Sequence, residues 1–153
     1  MNCYIASDHA GFALKGKIVL RLGKKYNFSD LGVFTDERVD YPKFAIELAK
    51  RVASEEGALG VLACGTGNGM SIVANKVKGA RAAVIYDGFT AKMARQHNDA
   101  NIACLGARNI TGQIAVALVK TFLETGFLGH SKEGERHLQR VQQIGEIEER
   151  HFK

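Results

Sequence analysis

Short apolar or β-branched runs alternate along the chain with longer segments whose apolar residues recur at helical spacing, the pattern of βα units and a parallel sheet. Strands are predicted near 2–6, 27–32, 59–64, 81–86 and 102–106. Helices are predicted between them over 11–26, over 43–56 behind Pro42 at the first helical position, over 68–77, and over 88–97 behind Asp87. A fifth runs from Thr111 to Glu124, with Ile114, Leu118 and Phe122 on one face and Gly126 as its stop. In the first helix Leu14, Ile18 and Leu22 recur at i, i+4 and i+8, which places Lys15, Lys17, Arg21, Lys24 and Lys25 on the wet side. From Gly129 to Lys153 the chain is more charged, and Leu138, Val141, Ile144 and Ile147 return at helical spacing. That segment is expected to form a C-terminal helix that packs on another surface, such as a second subunit. The whole reads as one α/β domain over 1–153, a five-stranded parallel sheet with helices on both faces and a helical extension over about 129–153.

Composition narrows the function classes. At 153 residues, with 46% hydrophobic and 24% charged positions, the chain has the make-up of one ordinary globular domain. No stretch approaches a membrane span, and no basic n-region or signal-length core follows Met1, so a cytoplasmic protein is expected. Cys3, Cys64 and Cys104 are odd in number and form no CxxC pair, which fits neither a disulfide framework nor a zinc ribbon and suits a reducing compartment. The balance of 21 Lys+Arg over 16 Asp+Glu gives a net charge of +5. Much of that excess falls on the wet face of the first helix. With no Trp and only 8% aromatic residues, the stacking groups of a nucleic-acid platform are missing, and small anions are the expected partners.

In an open parallel sheet, ligands bind beyond the carboxyl ends of the strands. Two junctions there stand out: Ser7-Asp8-His9-Ala10-Gly11 after the first strand, and Cys64-Gly65-Thr66-Gly67-Asn68-Gly69 after the third. The second sets a thiol and alternating glycines ahead of a helix start, where unpaired N–H groups and the positive end of the dipole favour an anion. A dinucleotide fingerprint starting at Gly65 fails at Met70, and a Walker A loop fails because Gly69-Met70-Ser71 has no lysine. A phosphoacceptor receiver would need Asp where Cys64 stands. Flavin fits the spacing with nothing positive behind it, and no metal motif occurs. Cys3 and Cys104 read as small buried hydrophobes. Cys64 reads equally as a buried hydrophobe or as a thiolate base or nucleophile, because a helix N-terminus favours the thiolate. Asp8 can be a plain helix cap. Arg136 and Arg140 form either a phosphate fork at i, i+4 or a solvated basic face.

Taken together, these segments resemble ribose-5-phosphate isomerase type B and the wider family that includes galactose-6-phosphate isomerase subunits. The resemblance rests on Ser7 to Gly11, Asp40-Tyr41-Pro42, Cys64 to Ser71, Ala74-Asn75-Lys76, Gly79 to Ala83, Arg95 to Asn101, and Arg136-His137 with Arg140. It implies a three-layer flavodoxin-like (Rossmann-like) fold, aldose–ketose interconversion of a sugar phosphate without cofactor or metal, and sites shared between two subunits of a homodimer or of a tetramer. Ribose 5-phosphate is the implied substrate. The alternatives are a six-carbon phosphate (allose 6-phosphate or galactose 6-phosphate) and a catalytically silent sugar-phosphate-binding subunit. One departure is visible: Gly126 to Glu135 looks longer than usual, and Glu135 stands where many members have Gly.

The family places its base either at a Cys ending the third strand or at a Glu after the glycine loop. Met70 holds the second position, so the implied base is Cys64. His97 is the implied ring-opening acid/base, since imidazole gives and takes protons near neutrality. Asp8 is expected to hold a sugar hydroxyl and Thr66 to shuttle a proton. The N–H groups of Gly65, Gly67, Asn68 and Gly69 are expected to face the enediolate. By resemblance His9, Arg108, Arg136 and Arg140 hold the phosphate, and Tyr41 and His137 line the pocket. The element order sets His97 near the amino ends of the strands and Cys64 at a carboxyl end, roughly 17–20 Å apart. A twofold dimer is therefore expected to bring His97 and Asn98 of one subunit, with its Arg108, over the Cys64 loop of the other.

Overall fold

A computed structural model describes residues 2–152. Met1 and Lys153, the last residue of the expected C-terminal helix, lie outside the described residues. The elements run β1 (Cys3–Ser7), α1 (Phe12–Tyr26), β2 (Ser29–Asp30), α2 (Pro42–Ser54), β3 (Leu59–Cys64), α3 (Asn68–Ala74), β4 (Ala82–Val84), α4 (Gly88–Asn98), β5 (Ile102–Gly106) and α5 (Gly112–Glu124). Two 3₁₀ turns, Leu128–His130 and Lys132–Gly134, lead into α6 (Glu135–His151). Among the described residues no helix is long and apolar enough to cross a membrane.

The strands form one parallel sheet in the order β2-β1-β3-β5-β4. The expected fold class is observed. Within it, the last two strands exchange places relative to the flavodoxin order 2-1-3-4-5, so β5 lies beside β3 and β4 forms the edge. Strand β3, Leu-Gly-Val-Leu-Ala-Cys, is buried along its whole length, as a central strand covered on both faces must be. Its apolar side chains split between two cores. Val61 and Ala63 join Ile5, Leu105 and the inner faces of α1, α4 and α5, with Ile18, Ala91 and Phe122 among them. Leu62 and Cys64 join Cys104, Met70 and the inner face of α2, including Leu48 and Val52. Helix α6 lies outside both cores, and His137 is its one buried residue.

Helix starts follow the local chemistry. Pro42 opens α2, and the Asp87 side chain accepts from Thr90 N at 2.7 Å to cap α4. Three predicted elements are shorter than expected: only Ser29–Asp30 of the 27–32 run pairs as strand, β4 stops at Val84, and α3 ends at Ala74. The first two are sheet edges, where one missing neighbour leaves fewer ladder bonds to extend the strand. Ile114 is 45% exposed and sits apart from the buried Leu118 and Phe122. Lys15 overturns its wet-side assignment. It is 2% exposed, because its place three residues before Ile18 carries it along the buried stripe. Its Nζ donates to both carboxylate oxygens of Asp30 (2.6 and 2.8 Å) and to Val33 O (2.7 Å), which ties α1 to the β2 edge.

Ser7, at the end of β1, is fully buried, and its Oγ is the one buried side-chain polar atom without a hydrogen-bond partner among the described residues. A stranded hydroxyl costs about 1–3 kcal/mol. Ser7→Ala is expected to stabilise the chain by about 1 kcal/mol, a Tm rise of about 2–4 °C. A thermal melt showing an unchanged or lower Tm would mean that the hydroxyl finds a partner.

Candidate active site

Register puts three carboxyl ends side by side: Ser7 pairs with Ala63 and Cys64 with Gly106. The loops that leave them meet over β3. Asp8 is buried, and its Oδ1 accepts from Gly11 N at 2.9 Å, so one of its oxygens closes the turn into α1. His9 Nδ1 accepts from Val39 N at 3.3 Å, which fixes the tautomer and leaves Nε2–H as the free donor. Tyr41 reaches across from the start of α2. A β-carbon on Gly69 would lie 2.8 Å from its Cζ, so only glycine lets the ring close over the loop.

Cys64 Sγ accepts from Gly67 N at 3.2 Å, just before the N-terminus of α3. Gly67 adopts φ +82°, a left-handed conformation that turns its N–H back onto the sulfur, and a side chain there would also crowd Leu105 at 3.1 Å. This donor, expected to face an enediolate, is occupied by the thiol. Asn68 N–H makes a long 3.4 Å contact with Thr66 Oγ1, while the N–H of Gly69 is among those that a helix start leaves unpaired. The Arg108 guanidinium lies 3.5 Å from where a β-carbon on Gly65 would stand, and Arg108 N donates to Gly65 O at 3.0 Å. Arg108 therefore belongs to the Cys64 loop of its own chain, which corrects the expectation that it accompanies His97 to the other subunit. The two remaining thiols are set apart from this chemistry: burial raises the pKa of Cys3, and burial foremost, then the nearby Cys64, raises that of Cys104.

The other expected site residues gather at the opposite end. Helix α4 runs back from the carboxyl side, and His97 and Asn98 are its last two residues. The His97 ring stacks on His137 of α6, with centroids 4.1 Å apart and planes 7° from parallel. Arg136 Nε donates to His137 Nε2 at 3.5 Å. Burial, then His97, Arg136 and Arg140, holds the pKa of His137 below its ordinary value, which favours the neutral ring. Among the described residues none of Arg108, Arg136 and Arg140 is in a salt bridge, whereas Arg81 and Arg95 both are. Strand β5 alone, from Ile102 beside Gly60 to Gly106 beside Cys64, separates the two ends by about 13 Å, and His97 precedes Ile102. Cys64 and His97 do not meet within one chain.

Residues 3–144 match the Ribose/Galactose Isomerase family. This chain belongs to that family. It is 42% identical over 144 residues to ribose-5-phosphate isomerase B of Escherichia coli K12, covering 94% of this chain and 93% of that protein. The solved structure of Clostridium thermocellum ribose-5-phosphate isomerase B superposes with a TM-score of 0.91 at 45% identity, covering 98% of this chain and 99% of that one. Ribose-5-phosphate isomerase B of Mycoplasma genitalium, solved with bound ribulose-5-phosphate, gives 0.89 at 41% identity, with coverages of 97% and 96%. The family named from the sequence, and with it the class of aldose–ketose isomerase, is borne out.

Two features of this family member escaped the sequence reading. The Gly67 N–H contact on Cys64 depends on a backbone angle that no residue type announces by itself. Asp99 drew no role, although Arg95 four residues before it on a helix was a legible partner.

Proposed function

We propose that this protein interconverts ribose 5-phosphate and ribulose 5-phosphate, with Cys64 as the proton-transferring base. The observation that carries this reading is the Cys64 sulfur, held by the Gly67 N–H at a strand end where the Arg108 guanidinium has no salt-bridge partner among the described residues. His97 opens the sugar ring. The thiolate of Cys64 then takes the proton from C2 of the open aldose. The C2–H electron pair forms the C1–C2 double bond of an enediolate, whose charge lies against Gly69 N–H and the start of α3. Thr66 Oγ passes a proton between the two substrate oxygens, and the thiol returns its proton to C1. Asp8, with one oxygen on Gly11 N, offers the other to a sugar hydroxyl. His9, Arg108, Arg136 and Arg140 take the phosphate, whose remote binding aligns the reacting carbons. Tyr41 and His137 close the walls.

Such a site needs two chains. The half at the carboxyl end and the His97 half lie at opposite ends of the strands. A twofold axis perpendicular to the strands reverses their direction and sets the partner's amino end over this chain's carboxyl end. Exposed Ile72, Tyr86, Phe89, Ile144 and Ile147, on elements around the β4 edge, supply an apolar surface for that contact.

The substrate assignment is tested by kcat/KM on a panel of five- and six-carbon aldose phosphates. Ribose 5-phosphate is expected to lead allose 6-phosphate and galactose 6-phosphate by at least about tenfold, the effect of roughly 1.4 kcal/mol. A six-carbon substrate in first place would reassign the pocket.

A further inference from the structure

We infer that Asp99 is a positioning residue that holds His97 and Asn98 in place for ring opening, an inference that rests on the ring-opening role proposed for His97. Helix ends fray, and a group that must exchange protons with a sugar from the last turn of α4 needs that turn stopped firmly. Asp99 stops it in the left-handed region, at φ 44°, where glycine is the usual residue. An aspartate in that conformation carries a backbone penalty that glycine would not, and what it adds is its carboxylate.

That carboxylate is gripped from two sides. Arg81, at the approach to β4, donates through its terminal nitrogen to Oδ2 at 2.8 Å and through Nε to the Asp99 carbonyl at 2.8 Å. Arg95, one turn back on α4, donates to Oδ1 at 3.0 Å. Arg95 is itself fixed: the same nitrogen donates to Ala100 O at 2.6 Å, its Nε donates to Thr125 O at 3.2 Å, and its guanidinium lies 5.7 Å from the centre of the Phe122 ring. One carboxylate thus binds the end of α4 to the start of β4, while Arg95 extends the clamp to the end of α5. His97 stands two residues before it and is steadied from the other side by the stacked His137 ring. Neither arginine is left over to bind substrate.

Asp99→Gly separates the two contributions, since glycine keeps the left-handed turn without strain and removes the carboxylate. On ribose 5-phosphate its kcat is expected to fall about 10- to 100-fold, the cost of a misplacement of about 1 Å, with KM moving by less than about threefold. On 4-deoxyribose 5-phosphate, which lacks the hydroxyl that closes the ring, its turnover should stay within about twofold of the parent enzyme. Asp99→Asn keeps one acceptor oxygen and the left-handed preference, and should show a smaller loss with the same contrast. If Asp99→Gly does not give a native circular dichroism spectrum, the Asn variant is judged by the same contrast. Wild-type turnover on both substrates, or equal losses on both, would overturn the positioning role. His97→Ala is run alongside. If it loses both substrates equally, the ring-opening assignment falls and the Asp99 role with it; if it loses only the ring-forming substrate while the Asp99 variants lose neither, the Asp99 role alone falls.

Discussion

Cys64→Ser is expected to lower isomerisation by roughly 10²- to 10⁴-fold while leaving fold and phosphate binding close to the parent. Serine preserves the size of the side chain and its ability to accept from Gly67 N, so the loop should keep its shape. What it loses is acidity, because a hydroxyl is a far weaker acid than a thiol. The same reasoning orders the three cysteines toward iodoacetamide. All three are buried, Cys104 completely, Cys3 at 2% and Cys64 at 5% exposure, and burial raises the pKa of Cys104 and Cys3, which suppresses their reactive thiolates. Cys64, beside the start of α3, should be alkylated first, and bound substrate should slow the reaction. A Ser variant with parent-like turnover would end the thiolate mechanism, even if the labelling order held.

Co-expression of Cys64→Ala and His97→Ala chains should restore activity that neither variant has alone. Each proposed site takes its Cys64 from one protomer and its His97 from the other, so a mixed dimer contains one site with both groups intact and one with neither. Random pairing makes half the dimers mixed, and about a quarter of parental activity is expected if the two sites work independently. The recovery should track the mixed species resolved by mass, starting from a background near zero. Mixed dimers that form and remain dead would place the two groups in one protomer's site, against the roughly 13 Å that β5 alone puts between the ends of the sheet. Substitution of Phe89 or Ile147 by a charged residue offers an independent check, since loss of the dimer should remove turnover together with assembly.

Much of the architecture was legible in the residues. Alternating runs announced the βα units, Pro42 and Asp87 marked helix starts at their true places, and the apolar run 59–64 marked a strand. All are local signals, carried by side-chain shape, missing donors and periodicity within one element. The loop Cys64 to Gly69 was also visible as chemistry, because alternating glycines after a strand leave few other readings, and the ordered set of motifs along the chain named the family. What lies between elements was not legible. Nothing in the run 81–86 told that β4 would sit outside β5, since strand order follows from how helices and sheet pack rather than from any one strand's composition. Lys15 looked like a solvated charge until Asp30 and Val33, brought to it by the β2 edge, gave its buried ammonium three acceptors. Arg108 and Arg136 look alike in sequence, yet the first closes over Gly65 and the second lies beside His137 at the far end. The sequence by itself determined the elements and the family and marked Cys64 as a candidate thiol, because each depends on residues that are near neighbours in the chain. Only the tertiary structure decided which charges are buried and paired, that Gly67 points its N–H at the sulfur, and that Arg108 closes over the Cys64 loop of its own chain, because these depend on long-range packing that brings together residues far apart in the chain.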